Sequence, residues 1–399
     1  MRDDGGPGRD KRPPAPSLWS PEGRALVAAL RARLGFDASP QPQSVDWASV
    51  LALAEIHRVE PLLEPTLLGG LGAGSEIIEI VKRRRRELTI TGLARLALQH
   101  RLLDALGGAD VDVVVLKGAP LAAEAFGSPF ARHDVDVDLL VAPHAVARAA
   151  AVLEQLGLRW IGWGLPDARQ TSLADGVGRP LLPEAIFKGG GQWVELHWRL
   201  TRNRRLMPVT PEWLTAPRYV QVDGRPTSVL PEIPAFLHLA VHGTLHRWQR
   251  LKWLVDLPAL VAQRPALLES AVLAEAQERG LERCLATGLQ FAERVLGPFL
   301  PSQAREWARR SPGTGILLRQ STIALGAGHS APGEVRPWDL PTHAAGRFAV
   351  RADRGFRTAE ARSMLLEAAG AHTEPYLGAR TAAAAPVRWI ARSVRRAAS

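Results

Sequence analysis

Cysteine is nearly absent from this chain. Cys284 is the single one in 399 residues, which excludes an internal disulfide and any zinc site built from several thiolates. A metal site here must therefore rest on carboxylates and histidines. Long apolar runs are lacking too: nothing approaches the roughly 20 uninterrupted apolar residues of a membrane span. The N-terminus, Met1-Arg2-Asp3-Asp4-Gly5-Gly6-Pro7-Gly8, has no apolar core of a secretory signal, so the expected location is cytoplasmic. Lysine is scarce, and arginine dominates the basic residues. Together with abundant alanine this is the pattern of a G+C-rich coding sequence, so the formal charge of +10 says little about partners.

What is present is an ordinary globular composition, 46% apolar and 23% charged, in a chain long enough for two or three compact units. Residues 1–19 are Gly, Pro and charge and are expected to be disordered. Apolar residues at helical spacing over Glu22 to Leu34, Trp47 to His57 and Glu76 to Leu106 make 20–106 an N-terminal helical region, opened by the cap Ser20-Pro21-Glu22. The period changes at Val111, where Val111-Asp112-Val113-Val114-Val115-Leu116 reads as a buried strand. A short helix over Ala119 to Phe126, a second strand, a helix from Pro143 to Leu156 and a strand over Gln192 to Trp198 complete a core spanning 107–230. Residues 231–310 are helical again. Residues 311–399 read as a linker or long loop (311–345) followed by a basic helical tail.

The densest signal lies in His133-Asp134-Val135-Asp136-Val137-Asp138-Leu139-Leu140-Val141. Alternate residues of a strand share a face, so Asp134, Asp136 and Asp138 would stand side by side while the intervening residues are buried. Aspartates so placed repel one another and are poor strand formers, and hard divalent cations such as Mg²⁺ offset both. A half-exposed strand with an acidic wet face is the plain alternative. Upstream, Leu116-Lys117-Gly118-Ala119 sets a glycine, helix-start amides and a rare lysine at a strand-to-helix turn, a combination suited to phosphate. It is not a P-loop, since the spaced glycines and the trailing Gly-Lys-Ser/Thr are missing.

The order strand, Gly-containing turn, short helix, Asp-x-Asp strand and later acidic strand resembles the DNA polymerase β-like nucleotidyltransferase superfamily. More closely, the chain resembles a bacterial uncharacterised nucleotidyltransferase family of that superfamily. The residues that carry this are Leu116-Lys117-Gly118, Arg132, Asp136-Val137-Asp138-Leu139-Leu140-Val141 and Glu195-Leu196-His197-Trp198. Trp47 to Leu63 resembles the family's N-terminal helix pair, and His238 to His242, His246-Arg247-Trp248 and Leu251 to Asp256 its C-terminal helical motif, so the likeness covers about residues 20–300. It implies an α+β fold with an α/β core: a mixed sheet with helices, flanked by helical regions. One departure is Ala119, which stands where the wider superfamily has a serine.

The resemblance implies transfer of a nucleoside monophosphate from an NTP, ATP being the expected one, to a small molecule, peptide or protein, with two Mg²⁺ or Mn²⁺ ions about 3.5 to 4 Å apart. Asp136, Asp138 and Glu195 would be catalytic and hold metal. Lys117 and the Gly118 amide would bind triphosphate, and Arg132 would neutralise the leaving pyrophosphate or pair with Asp134. Asp134 and His197 would be supporting residues, His197 by orienting Glu195. His242, His246 and Asp256 have the spacing of a second metal site, although packing and capping are the commoner use. Alternatives are an aminoglycoside- or sugar-type nucleotidyltransferase and a non-catalytic nucleic-acid or partner-binding protein. The basic runs Lys82 to Arg86 and Arg388, Arg392, Arg395 and Arg396 beside Trp389 and Ile390 suit phosphate backbones or an acidic membrane surface, but a solvated helix face explains them more simply. A nucleic-acid partner is thus not favoured, since phosphate backbones need no converging carboxylates.

Overall fold

The computed structural model describes residues 18–36, 45–162, 183–327 and 340–368. Of residues 1–19, expected to be disordered, 1–17 lie outside these, as does the terminal basic helix, whereas Leu18 is fully buried in the larger core. Among the described residues seven strands form one mixed sheet: β1 Val113–Val115, β2 Asp136–Val141, β3 Arg159–Gly162, β4 Glu184–Gly189, β5 Gln192–His197, β6 Arg218–Val222 and β7 Arg225–Val229, in the order β3-β4-β5-β2-β1-β7-β6. β2 is parallel to β5 and antiparallel to β1. This is the α+β class expected. Two tight hairpins set much of the register. Gly190-Gly191 joins β4 to β5 and Asp223-Gly224 joins β6 to β7, each with positive φ at both loop positions, the geometry that matches strand twist.

The alternation of the strands divides the sheet into two unlike faces. Val113, Val115, Val137, Leu139, Val141, Val194 and Leu196 point into a core with Leu102 and Leu106 of the long Ser75–Gly108 helix and with the Val146–Gln155 helix. Val114, Leu116 and Leu140 point the other way, into a larger core shared with Leu121, Phe236, Leu237 and Trp253. That larger core also holds Leu26 and Leu30 of the Pro21–Arg33 helix and Phe291 and Leu296 of the Glu282–Leu296 helix. The N- and C-terminal helical regions, more than a hundred residues apart in sequence, thus pack as one body against the sheet. Ser20 caps the first helix through the Gly23 amide, as its sequence predicts.

Three details depart from the linear reading. The strand carrying the aspartates begins at Asp136, so Asp134 precedes it. Residues 311–345, read as a linker or loop, contain the Thr314–Ala327 helix and the start of the Leu340–Ala349 helix; Leu317 and Leu325 are fully buried. The polar, glycine-rich stretch hid this helix. The segment that follows β5 is gripped by the C-terminal helices, since Asn203 Nδ2 donates to the Phe356 carbonyl at 3.2 Å and to Glu360 at 2.9 Å.

Candidate active site

The acidic face of the sheet is built by register. Parallel pairing of β2 with β5 sets Asp138 directly beside Glu195, and two residues earlier Asp136 lies on the same face. β4 completes the row by setting Glu184 opposite His197. Lys117, just beyond β1, reaches Asp138 Oδ1 at 3.2 Å, and His197 Nε2 lies 3.3 Å from that same oxygen and 3.4 Å from Glu195. Asp138 is 2% exposed and Lys117 14%, whereas Glu195 at 26% remains reachable from solvent. The sequence-expected set Lys117, Asp136, Asp138, Glu195 and His197 therefore converges at one end of β2.

Charge is tightly balanced there. Burial opposes the Lys117 charge, but Asp138, Asp136 and Glu195 outweigh it and hold the ammonium above its ordinary range. Burial, and then the neighbouring Asp138, push the Asp136 carboxyl up. Burial would also raise Glu184, yet His197 beside it prevails and holds it low. Asp138, Glu195 and His197 each offer a ligand atom, all within 4.8 Å of one another. Two oxygens and an imidazole nitrogen suit a divalent cation, and such a charge would relieve the crowding of Asp136 against Asp138.

Arg132 and Asp134 belong to a different construction. The Arg132 Nε donates to both Asp256 oxygens at 3.1 Å, its second terminal nitrogen lies 3.1 Å from Asp256, and the first donates to Asp134. Lys252 adds bonds to Asp134 at 3.4 Å and to the His133 carbonyl at 3.2 Å, while His133 pairs with the buried Glu60 at 2.9 Å. The result is a buried ionic tie between the start of β2 and the Leu251–Gln263 helix. Asp134 is turned into this tie by its place ahead of the strand, and its carboxyl, though buried, is held well below the ordinary range by Arg132 and Lys252. The Arg132 fork is occupied by two carboxylates.

Beside the acidic row opens a cleft lined by Arg95, Gln99, Lys117, Gly118, Arg132, His133, Asp134, Asp136 and Phe130 among others. Gly118 has φ 80° and ψ −134°, a backbone state open chiefly to glycine, and no side chain caps the Ala119–Phe126 helix that follows it. Its first-turn amides are thus suited to an anion. Arg95 and Gln99 were not singled out from sequence. They are one turn apart on the Ser75–Gly108 helix, and Arg95 Nε and Gln99 Nε2 are buried without a hydrogen-bond partner. Gly92, in the same stripe, lets Phe130 pack closely: a Cβ there would lie 3.0 Å from its ring. A polar stripe interrupted by a mid-helix glycine was the available signal.

The histidines of the Glu232–Leu245 helix form a row rather than a second metal site. The His242 and His246 ring centroids are 4.4 Å apart and lie 5.3 and 5.1 Å from Trp253, and Asp256 is engaged by Arg132. Among the described residues Asp138, Glu195 and His197 form the group whose ligand atoms could share a metal ion. The Lys82 to Arg86 run is likewise engaged: Lys82 pairs with Glu79 at 2.6 Å, Arg84 with Glu55 and Glu60 at 3.5 Å, and Arg85 with Glu64 at 3.0 Å.

His238, at the inner end of the row, gives a pH prediction. Burial first, then Lys117 and His197, push it down to about 3. The unfolded chain, with histidine near 6.5, therefore binds a proton that the folded one refuses as pH falls from about 6.5 towards 3. Stability present above pH 6.5 is lost on that limb, and His242 and His246 act in the same sense. His197, raised above the ordinary value, acts in the opposite sense and only above pH 6.5. Urea titrations from pH 7 to 4.5 are expected to show a slope for His238→Asn that is shallower by up to about 1.4 kcal/mol per pH unit. An unchanged slope would show that His238 is not buried in the neutral form.

Comparison with curated proteins gives no match. A family model described as uncharacterised nucleotidyltransferase matches residues 43–297, more than half of the chain, and takes in the helices from Trp47–His57 to Glu282–Leu296. The match contains every residue of the acidic row, the ionic tie and the cleft, and on it the chain belongs to the uncharacterised nucleotidyltransferase family.

Proposed function

We propose that the protein transfers a nucleoside monophosphate from an NTP, ATP in the first instance, to a small-molecule, peptide or protein acceptor and releases pyrophosphate. The observation that carries this is the register that sets Asp138 against Glu195, with Asp136 on the same face and Lys117 on Asp138. Asp136, Asp138 and Glu195 hold Mg²⁺ or Mn²⁺ in this reading. When bound, such ions stabilise charge on the attacking and leaving oxygens.

The protein's own groups supply positioning. Lys117, the Gly118 amide and Arg95 take the triphosphate in the cleft, with Lys117 and Arg95 opposing its negative charge. An acceptor oxygen or nitrogen attacks the α-phosphorus, the bond to the bridging oxygen breaks, and pyrophosphate leaves. Glu195, 26% exposed, takes the acceptor proton directly or through water. Arg132 contributes by holding the start of β2 in place.

The test is to incubate purified protein with each NTP, Mg²⁺ and a panel of acceptors, following pyrophosphate and the mass of an added nucleoside monophosphate. The reading expects NTP binding that requires the metal. No binding at millimolar NTP with metal would overturn it.

A further inference from the structure

We infer that His197 is itself a metal ligand through Nε2, so that the catalytic ion sits in a mixed carboxylate–imidazole shell. This rests on the metal-dependent reading above and adds to it the nitrogen donor.

Three observations on the two sides of one ring carry it. Nε2 lies 3.3 Å from Asp138 Oδ1 and 3.4 Å from Glu195 Oε2. Donors about 2.1 Å from a common ion are roughly 3 to 4.2 Å apart, so this is the spacing of ligands that share one cation. On the far side, Nδ1 lies 3.1 Å from Glu184 Oε2. A carboxylate on the remote nitrogen fixes the proton there and turns the Nε2 lone pair towards the metal, the arrangement that metal-ligating histidines almost always have. The ring is also held in place: the hairpin aligns Glu184 with His197, and the β2–β5 ladder aligns Asp138 with Glu195. Asp138 already has a cationic partner in Lys117. A role for His197 as mere counter-ion would duplicate it.

Pulsed EPR on the full-length protein with Mn²⁺ and without nucleotide tests this. Wild type is expected to show ¹⁴N modulation from a bound imidazole, replaced by a ¹⁵N pattern when histidine is ¹⁵N-labelled. His197→Gln is expected to abolish the modulation and weaken Mn²⁺ binding about tenfold or more. Glu184→Gln should keep the modulation but weaken binding about tenfold, as loss of an orienting carboxylate does. The labelling arm uses wild type, so it stands even where His197→Gln does not fold. His238→Gln, removing the histidine next along, should leave the modulation intact. Mn²⁺ bound without nitrogen coupling, or coupling that persists in His197→Gln, would overturn the inference. So would no Mn²⁺ binding at millimolar concentration; metal-dependent NTP binding in the same preparation would then leave the transferase reading standing.

Discussion

Asp138→Asn is expected to lower nucleotidyl transfer at least a thousandfold, on the order of 4 kcal/mol of transition-state stabilisation, while changing unfolding stability by about 1 kcal/mol or less. The asymmetry follows from its surroundings. The carboxylate is the point where Lys117, His197 and Glu195 converge, so its charge is central to holding a cation. Its removal from the fold is nearly compensated: Lys117 loses one partner but keeps Asp136 and Glu195 as neighbours, and the repulsion between Asp138 and Asp136 disappears. The measurements are pyrophosphate release and urea unfolding on the same preparation. Activity within tenfold of wild type would remove Asp138 from the chemistry.

Arg132→Met is expected to do the reverse, lowering stability by about 3–5 kcal/mol because it leaves Asp134 and Asp256 buried without the guanidinium that bonds both, Lys252 remaining on Asp134. Asp134→Asn, which keeps hydrogen-bonding atoms in place, should cost less. At a temperature where it stays folded, it is expected to retain far more transfer activity than Asp138→Asn or Asp136→Asn. Urea midpoints measured beside metal-dependent NTP affinity separate the roles. An Arg132→Met protein with an unchanged midpoint but weakened NTP binding would return Arg132 to the phosphate contact that its motif implies.

The parts of the site legible in the sequence are those written in short, local patterns. Asp136 and Asp138 announce themselves by period two, Lys117-Gly118 by the change of period at a strand end, and Glu195-Leu196-His197 by the alternation of β5. The same pattern overreaches at Asp134, because nothing in an alternating string says where the ladder starts; pairing with β5 begins at Asp136↔Trp193, and Arg132 has already taken the preceding carboxylate. Arg95, Gln99, Lys252 and Glu184, and the partnership of Asp256 with Arg132, were illegible for another reason. Each reaches the site only through tertiary packing, from a helix or strand whose own sequence carries no trace of the partner. The merging of the two helical regions into one core is hidden in the same way, since Leu26 and Phe291 look like any other helix-face residues until the chain brings them together.

The tie between Arg132 and Asp256 spans 124 residues of sequence, and the contact of His197 with Asp138 spans 59. Contacts so distant in sequence close late, after the entropy of the intervening chain has been lost. A ribosome-bound or truncated chain ending near residue 230 would carry the whole acidic row, yet would lack the aspartate on the far side of Arg132 and the lysine beside Asp134. The candidate site is therefore buttressed by the helices that follow it, and under the proposed function activity is expected only once the second half of the protein has been made and has docked.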